Sequence, residues 1–304
     1  MSVASLIEYV MAESQYLPQA ESSVAVLELA ERDREEVLGF LAERPVHTVA
    51  MAGLIRDNGF VSEHNRGTFY GCRNSHGRLE GVALVGHHTL VEGRTRRAVR
   101  EFASVALCCP RTHMILGELE TVEDFWNAYA DEGQRMRLAC RELLFELREA
   151  VGRDEVDGET NEGPRRAAPA DLELVIPVHA GLAAAESGLN PLDTDPEGFR
   201  RRCLRRIEQG RTWVVVSGGR LLFKADVQAA TPEVIYLEGV YVHPSERGNG
   251  TARAYLDRLC RHLLPATRTI CLLANEENER AQRFYRTCGF KMRGVYDTIF
   301  LRRD

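Results

Sequence analysis

The sequence predicts an α/β chain (α+β) built from two units in tandem. Three observations carry that reading. The chain has 304 residues, where an ordinary domain has ~150. Strand-like and helix-like runs alternate along it, and the alternation starts afresh after residue 170. Between the two series lies GRDEVDGETNEGPRRAAPA at 152–170, with one large apolar side chain, Val156. Such a stretch buries too little surface to offset its ordering entropy. The chain therefore divides into residues 1–151, a linker at 152–170 and residues 171–304.

In the first series Val24 to Leu29 suits a strand, and Arg32 to Leu41 a helix with Val37, Leu38 and Leu41 at helical spacing. Phe69 to Cys72 and Leu79 to Val85 suit two strands joined by a turn carrying Asn74, Ser75 and Gly77. Arg96 to Leu107 is helical and His113 to Leu116 a short strand. Val122 to Tyr129 and Arg137 to Arg148 complete the half. Its order reads strand-helix-helix-hairpin-helix-strand-helix.

In the second series Leu172 to Ile176 reads as a strand and the stretch from Pro177 as a helix. Phe199 to Glu208 is an arginine-rich helix. Thr212 to Ser217 and Leu221 to Val227 flank Gly218-Gly219, a two-residue hairpin signal. Val234 to Val242 is a long strand. Gly250 to Leu264 is a helix with one apolar face, stopped by Pro265. Ile270 to Ala274 is a strand, and Asn278 to Thr287 a helix capped by Gly289. Phe290 to Met292 and Val295 to Leu301 are two closing strands.

Composition narrows the class. The chain is 44% hydrophobic and 28% charged, near globular averages, which excludes collagen-like, disordered and disulfide-framework proteins. No apolar run is long enough to span a bilayer. The start, MSVASLIEYVMAESQYLPQ, lacks a basic segment followed by a long apolar run. A cytoplasmic protein with no membrane partner is expected. Residues 1–170 hold 19 basic and 28 acidic side chains, a balance of −9, and residues 171–304 hold 20 and 17, a balance of +3. Neither marks a nucleic-acid binder, though the positive excess suits an anionic small molecule. Cys72, Cys108, Cys109, Cys140, Cys203, Cys260, Cys271 and Cys288 form no C-x-x-C pair or metal-ligand spacing. They read as reduced, buried small hydrophobes. His87 and His88 would point to opposite faces of a strand, poorly placed to share a metal. No metal is expected.

The long strand holds an irregularity. Ile235 and Leu237 alternate on one face, then Glu238 and Gly239 intervene, and the alternation resumes one residue out of phase at Val240 and Val242. A regular strand would turn its core face to water there. A β-bulge at Glu238-Gly239 absorbs the extra residue. The alternative is a strand buried on both faces, with Tyr236 and Tyr241 on the second.

His243-Pro-Ser-Glu-Arg247-Gly248-Asn249-Gly250-Thr251-Ala252 follows directly. A strand, a glycine-bearing turn and a helix make an anion site, because backbone N–H groups converge at a helix N-terminus. Arg247 adds a full positive charge, and the arrangement suits a pyrophosphate. The turn is neither a P-loop nor the G-x-G-x-x-G fingerprint. It resembles the phosphate motif of the GNAT acyltransferase superfamily, [Arg/Gln]-x-x-Gly-x-[Gly/Ala], filled by Arg247, Gly250 and Ala252. A second block, Asn275 to Phe290, resembles that family's Asn-x-x-Ala-x-x-x-Tyr-x-x-x-Gly-Phe, with Asn278, Ala281, Tyr285, Gly289 and Phe290 in place. The resemblance covers about residues 171–304.

The resemblance implies a mixed, mostly antiparallel twisted sheet flanked by helices, and acetyl-CoA as co-substrate. It implies that backbone groups of Val240 and Val242 hold the pantetheine arm. The N–H groups of Gly248, Asn249, Gly250, Thr251 and Ala252 would hold the pyrophosphate beside Arg247, with Asn278 near the pantetheine. Tyr285 would stand near the thioester sulfur as general acid, unless it is only a core residue. An amine must attack the thioester in its neutral form, so a base must take its proton. Glu238 is the candidate base, its alternative being a solvated strand carboxylate. A backbone N–H freed by the bulge suits the oxyanion.

The first half resembles a worn GNAT unit and, through Phe69-Tyr-Gly-Cys and Leu116-Gly-Glu118, a bacterial domain of unknown function found ahead of GNAT domains. After His113 to Leu116 it offers Gly117-Glu118-Leu119-Glu120, whose carboxylates would repel a phosphate. It is expected to be degenerate, walling the acceptor cleft or replacing a homodimer partner. The expectation is an N-acetyltransferase moving an acetyl group from acetyl-CoA to a small-molecule or protein amine, in a monomeric pseudo-dimer or a weak dimer. The alternatives are a non-catalytic acyl-CoA sensor or interaction module, or transfer of a longer acyl group.

Overall fold

The computed structural model describes residues 25–149 and 163–302. Val24, the first 19 residues and residues 152–162 of the linker lie outside the described residues. Nine helices and one mixed, mostly antiparallel sheet of twelve strands are present among those described. The first half runs β1 (Ala25–Glu28), α1 (Arg34–Ala42), α2 (Pro45–Asn58), β2 (Gly67–Arg73), β3 (Leu79–Gly86), β4 (His88–Gly93), α3 (Arg96–Leu107), β5 (Met114–Glu118), α4 (Leu119–Ala130) and β6 (Met136–Leu147). The second runs β7 (Arg165–Arg166), α5 (Leu172–Ser187), the one-turn α6 (Pro191–Thr194), α7 (Pro196–Glu208), β8 (Thr212–Ser217), β9 (Arg220–Ala230), β10 (Val234–Val242), α8 (Thr251–Leu263), β11 (Thr269–Asn275), α9 (Glu279–Thr287) and β12 (Lys291–Leu301). Apart from α6, the two halves repeat one element order.

The sheet order is β1-β2-β3-β4-β5-β12-β6-β11-β10-β9-β8-β7. Read from one edge, the first half leads up to the second half's last strand. Read from the other, the second half leads up to the first half's last strand. The halves have therefore exchanged their final strands. β6 pairs with β11 from Glu142 to Leu147 and with β12 along its length, while β12 pairs with β5 from Tyr296 to Phe300. Burial follows the pairing: the first six residues of β6 alternate or face solvent, and Glu142 to Leu147 are buried throughout. A strand between two others and covered on both faces reads as a continuous apolar run, and here LLF and Leu147 supply it.

Several sequence expectations are corrected. Leu172–Ile176 is the first part of α5, not a strand. An apolar run of five fits either element by periodicity, and Leu172, Val175, Ile176 and Ala180 fall on one buried helical face. Pro177 lies within this helix, early enough that only one intrahelical N–H is lost. The stretch from Arg137 to Arg148, which the expected order leaves unassigned, is β6. Phe290 to Met292 and Val295 to Leu301 are one strand, β12, whose pairing shifts register between Met292 and Gly294. α2 is the second helix of the expected order, and β4 is a strand that the order lacks. Within the segment read as linker, Arg165–Arg166 pair with Val214 and Trp213 of β8.

The hairpin at Gly218-Gly219 forms with both residues at positive φ, 56° and 72°, as a type I′ turn requires. α2 of the first half packs on β9 of the second. There a Cβ on Gly53 would stand 2.7 Å from the Ala229 Cβ, so glycine is what lets helix and sheet touch.

Candidate active site

Among the described residues only two neighbouring strand pairs are parallel, β4–β5 and β10–β11. The β10–β11 ladder runs from Val234–Thr269 to Leu237–Leu272 and stops. β10 nevertheless continues to Val242 and β11 to Asn275. The strands therefore part beyond Leu237, and β10 is left without a β11 partner from Glu238 onward. On its other side β10 is also irregular. From Glu238 opposite Asp226 to Tyr241 opposite Lys224, β10 advances three residues while β9 advances two. Gly239 lies in this interval at φ 60°.

Val240 and Val242 are half-buried and pack against the second half's core. The Val242 carbonyl accepts from Arg247 Nε at 2.8 Å, so the guanidinium is anchored to the strand end that it follows. His243 turns into a 3₁₀ turn, Pro244–Glu246. Gly248 and Gly250 follow at φ 89° and 87°, and a Cβ on either would meet nothing within 4 Å. Gly250 is the N-cap of α8 and gives it no side-chain cap. Asn249 Oδ1 accepts from the Thr251 N–H at 3.1 Å. Ala252 is buried, which seats the first turn of α8 against the sheet. The result is an open, glycine-lined helix N-terminus at the mouth of the gap between β10 and β11, with Arg247 beside it.

Asn278 is the N-cap of α9, its Oδ1 accepting from the Ala281 N–H at 3.0 Å. Its clearest role in the structure is therefore to start the helix that carries Tyr285. Tyr285 is buried, with its ring about 6 Å from Phe145, Phe284 and Phe290: 6.0, 5.6 and 5.9 Å between centroids. Burial drives its hydroxyl pKa well above the usual phenol range. Phe145 belongs to β6, so a strand of the first half packs this tyrosine.

The exchange also brings in carboxylates that the sequence did not single out. Glu142 of β6 is buried and accepts from Thr298 Oγ1 at 2.9 Å. Glu186, near the end of α5, keeps part of its side chain exposed while its carboxyl is desolvated. Both sense the charge of Glu238, which stands half-buried on β10. Desolvation, then the charges of Glu238 and Glu142, push the Glu186 carboxyl up to about 8. Desolvation raises Glu142 as well. Like charges resist simultaneous ionisation, so Glu142 and Glu186 hold a proton more tightly than a free carboxylate.

Behind β10 lies a buried charge cluster. Lys224, fully buried on β9, donates to Asp226 Oδ2 at 2.5 Å and to the Gly239 carbonyl at 3.2 Å. Asp226 also accepts from Arg206 at 3.1 Å and from Thr212 at 2.7 Å. The cations hold its carboxyl far below the usual range despite burial. Lys224 and Asp226 sit two apart in LLFKADVQAA, on one face of a buried strand, and that spacing was the signal available in the sequence.

No group of three His, Cys, Asp or Glu placed to hold a metal occurs among the described residues. His87 and His88 do lie close, with ring centroids 4.9 Å apart, and His87 stacks on His113. Of the cysteines, Cys108 is exposed and Cys109 and Cys140 half-buried, while the other five are buried. A cavity of about 50 Å³ lies apart from the glycine turn, under α2, lined by Val46, Val49, Met51, Leu116, Leu144 and Leu273 among others. No described helix is long and apolar enough to cross a membrane.

Residues 185–290 match the model of the acetyltransferase (GNAT) family. This part of the chain is a GNAT domain. The match takes in β10, the glycine turn, α8, β11 and α9. Solved structures of similar fold extend over nearly the whole chain. One is a tandem GNAT protein from the clavulanic acid biosynthesis pathway, 15% identical, covering 91% of this chain and 98% of its own, with a TM-score of 0.56. A Drosophila protein is 12% identical over 92% of this chain and 99% of its own, with a TM-score of 0.61. A GNAT-family acetyltransferase from Colwellia psychrerythraea is 13% identical over 92% and 100%, with a TM-score of 0.50. At these identities the likeness is one of fold. No curated protein matches in sequence.

Proposed function

We propose that the chain is an acetyl-CoA-dependent N-acetyltransferase acting on a primary amine, with its one site in the GNAT domain. The observation that carries this is the gap between β10 and β11 opening onto a helix N-terminus that Gly250 leaves without a cap of its own, beside Arg247. An extended ligand bearing amides adds to an unpaired strand edge, and the pantetheine arm of CoA is such a ligand. Val240 and Val242 flank that edge. The N–H groups from Gly248 to Ala252, with Arg247, suit the pyrophosphate. On this reading Asn278, the N-cap of α9, lies near the pantetheine.

The acceptor amine attacks the thioester carbonyl, and its proton passes to Glu238 or, through water, to the carboxylates facing it. Their mutual repulsion supports a base role, because it favours proton uptake. The tetrahedral intermediate collapses with loss of the thiolate. Tyr285, kept protonated by burial, is the general acid there. The same reading makes the protein a monomeric pseudo-dimer, or at most a weak dimer. It places it in the cytoplasm, acting on small-molecule or protein amines without nucleic-acid or membrane partners. The first half acts through β6 and α2 rather than through a second CoA site.

A panel of amines assayed by thiol detection of released CoA tests the reading. Turnover with one amine class is expected. Binding of acetyl-CoA without turnover on any amine would replace the enzyme with a sensor.

A further inference from the structure

We infer that Lys224 is a positioning residue for the acyl-transfer step. It fixes the Gly239–Val240 peptide so that the Val240 N–H faces the thioester carbonyl. This rests on the reading proposed above, since it concerns the same site.

Burying a lysine in the middle of a sheet is costly, and a well-packed apolar side chain of similar volume often gives a protein at least as stable. Lys224 is nonetheless fully buried between Phe223 and Ala225, which are also fully buried. Lys224 is one of several partners of Asp226, because Arg206 and Thr212 also bond that carboxylate. What Lys224 alone supplies is a charged donor to the Gly239 carbonyl at 3.2 Å. Gly239 lies in the interval where β10 has lost register with β9 and its ladder with β11. No strand pairing fixes the peptide there, and the lysine does so instead. A Cβ on Gly239 would stand 2.9 Å from the ammonium, so the glycine lets the contact form.

The orientation follows from peptide geometry. There are no cis peptides among the described residues. In a trans peptide the C=O and the following N–H point in opposite directions. With the Gly239 carbonyl turned toward the Lys224 ammonium, the Val240 N–H points away from that ammonium. Beside it the β10–β11 gap is open. The ammonium also polarises the peptide, which strengthens that N–H as a donor to a developing oxyanion. Asp226, Arg206 and Gln228 (2.9 Å from Arg206) hold the lysine in turn.

The test reads the thioester carbonyl directly and needs no acceptor. Infrared spectra of carbonyl-labelled acetyl-CoA should show a lowered C=O stretch on the wild-type protein. Lys224→Met should bind acetyl-CoA with little change in Kd while the stretch returns toward the free value. Its kcat should fall ~10-fold with KM for acetyl-CoA nearly constant, a fraction of the loss seen when an oxyanion donor is removed outright. Lys224→Met with Asp226→Asn removes the buried pair together and should show the same shift. In the wild type, the Val240 amide resonance should move on adding acetyl-CoA but not CoA, a measurement independent of whether either variant folds. An unmoved Val240 amide, or a carbonyl stretch in folded variants equal to the wild type's, would overturn the inference while leaving acetyl-CoA binding intact. Failure of the wild type to bind acetyl-CoA would overturn the proposed function itself, and this inference with it.

Discussion

The chain carries the same strand-turn-helix connection twice, and only one copy is built to hold an anion. In the second half, β10 reaches α8 through the eight residues from His243 to Gly250, two of them glycines at positive φ, with no cap from Gly250 and only the Thr251 N–H held by a side chain, that of Asn249. In the first half, β4 reaches α3 through Arg94 and Thr95 alone, and the Thr95 hydroxyl accepts from the Ala98 N–H at 3.2 Å. The strand gaps differ too. The β4–β5 ladder stops at Leu90–Leu116, much as the β10–β11 ladder does. Just beyond, Arg44 bridges Glu92 of β4 at 2.9 Å and Glu118 of β5. His47 Nδ1 bonds the Tyr296 hydroxyl of β12 at 2.8 Å and lies 3.1 Å from Glu118. One gap is tied shut by ion pairs and the other stands open. Element order sets the architecture, and turn length and capping decide whether a copy can bind.

The largest effect should come from closing the open copy. Gly250→Glu places a side chain and a negative charge where backbone N–H groups converge, at a φ that disfavours any residue but glycine. Acetyl-CoA binding should fall below calorimetric detection while the circular dichroism spectrum is unchanged. The wild-type chain should titrate with one acetyl-CoA. Two equivalents would show the first half to be a working unit and erase the comparison.

Much of the second half was legible because its signals are local. Glycine pairs, the amphipathic α8 and the Asn278 cap each act within a few residues of their own position. The first half was less so. α2 buries Thr48, Val49, Met51, Ala52, Gly53 and Ile55, too wide a face for an amphipathic pattern. β4 has six residues, too few to alternate clearly. Missing β4 also placed the acidic turn wrongly. Gly117 and Glu118 end β5 and Leu119 and Glu120 open α4, whereas the counterpart of the glycine turn follows β4. The strand exchange left no local trace, since partner choice in a sheet is not written in either strand alone. Glu142 and Phe145 reach the site only through that exchange, so no motif near Tyr285 could announce them.

Next in size is the chemistry of the open copy. Tyr285→Phe should lower kcat by ~10²-fold, within the range of general-acid catalysis, with acetyl-CoA affinity nearly constant. A full-rate variant would return Tyr285 to packing. Phe145→Ala tests the dependence of that site on the first half. It should destabilise the chain by ~3–5 kcal/mol as a large buried ring is lost, seen in denaturant unfolding, and it should slow turnover as Tyr285 loosens.

The carboxylates predict a pH profile. A base must be ionised to accept a proton, so kcat/KM should rise with pH through the Glu186 value of about 8 and then level off. Glu186→Gln should remove that limb. Glu238→Gln should lower the rate and move the limb to lower pH, because one of the charges that raises Glu186 is gone. A limb unmoved by either substitution would assign the titration to the acceptor amine.

The smallest effect belongs to the closed copy and isolates what closes it. Thr95→Ala removes the cap of α3 and should cost ~1 kcal/mol of stability, read as a small shift in the denaturant midpoint. Acetyl-CoA stoichiometry should stay at one and its affinity should not change. The reason is geometric. Uncapping α3 frees an N–H, but the two-residue turn still lacks the glycines that would aim further donors at a phosphate, and Arg44 still spans Glu92 and Glu118. Should the variant take up a second equivalent of acetyl-CoA, the cap alone would have been keeping the first half closed. Turn length would then lose its place as the feature that separates the two copies.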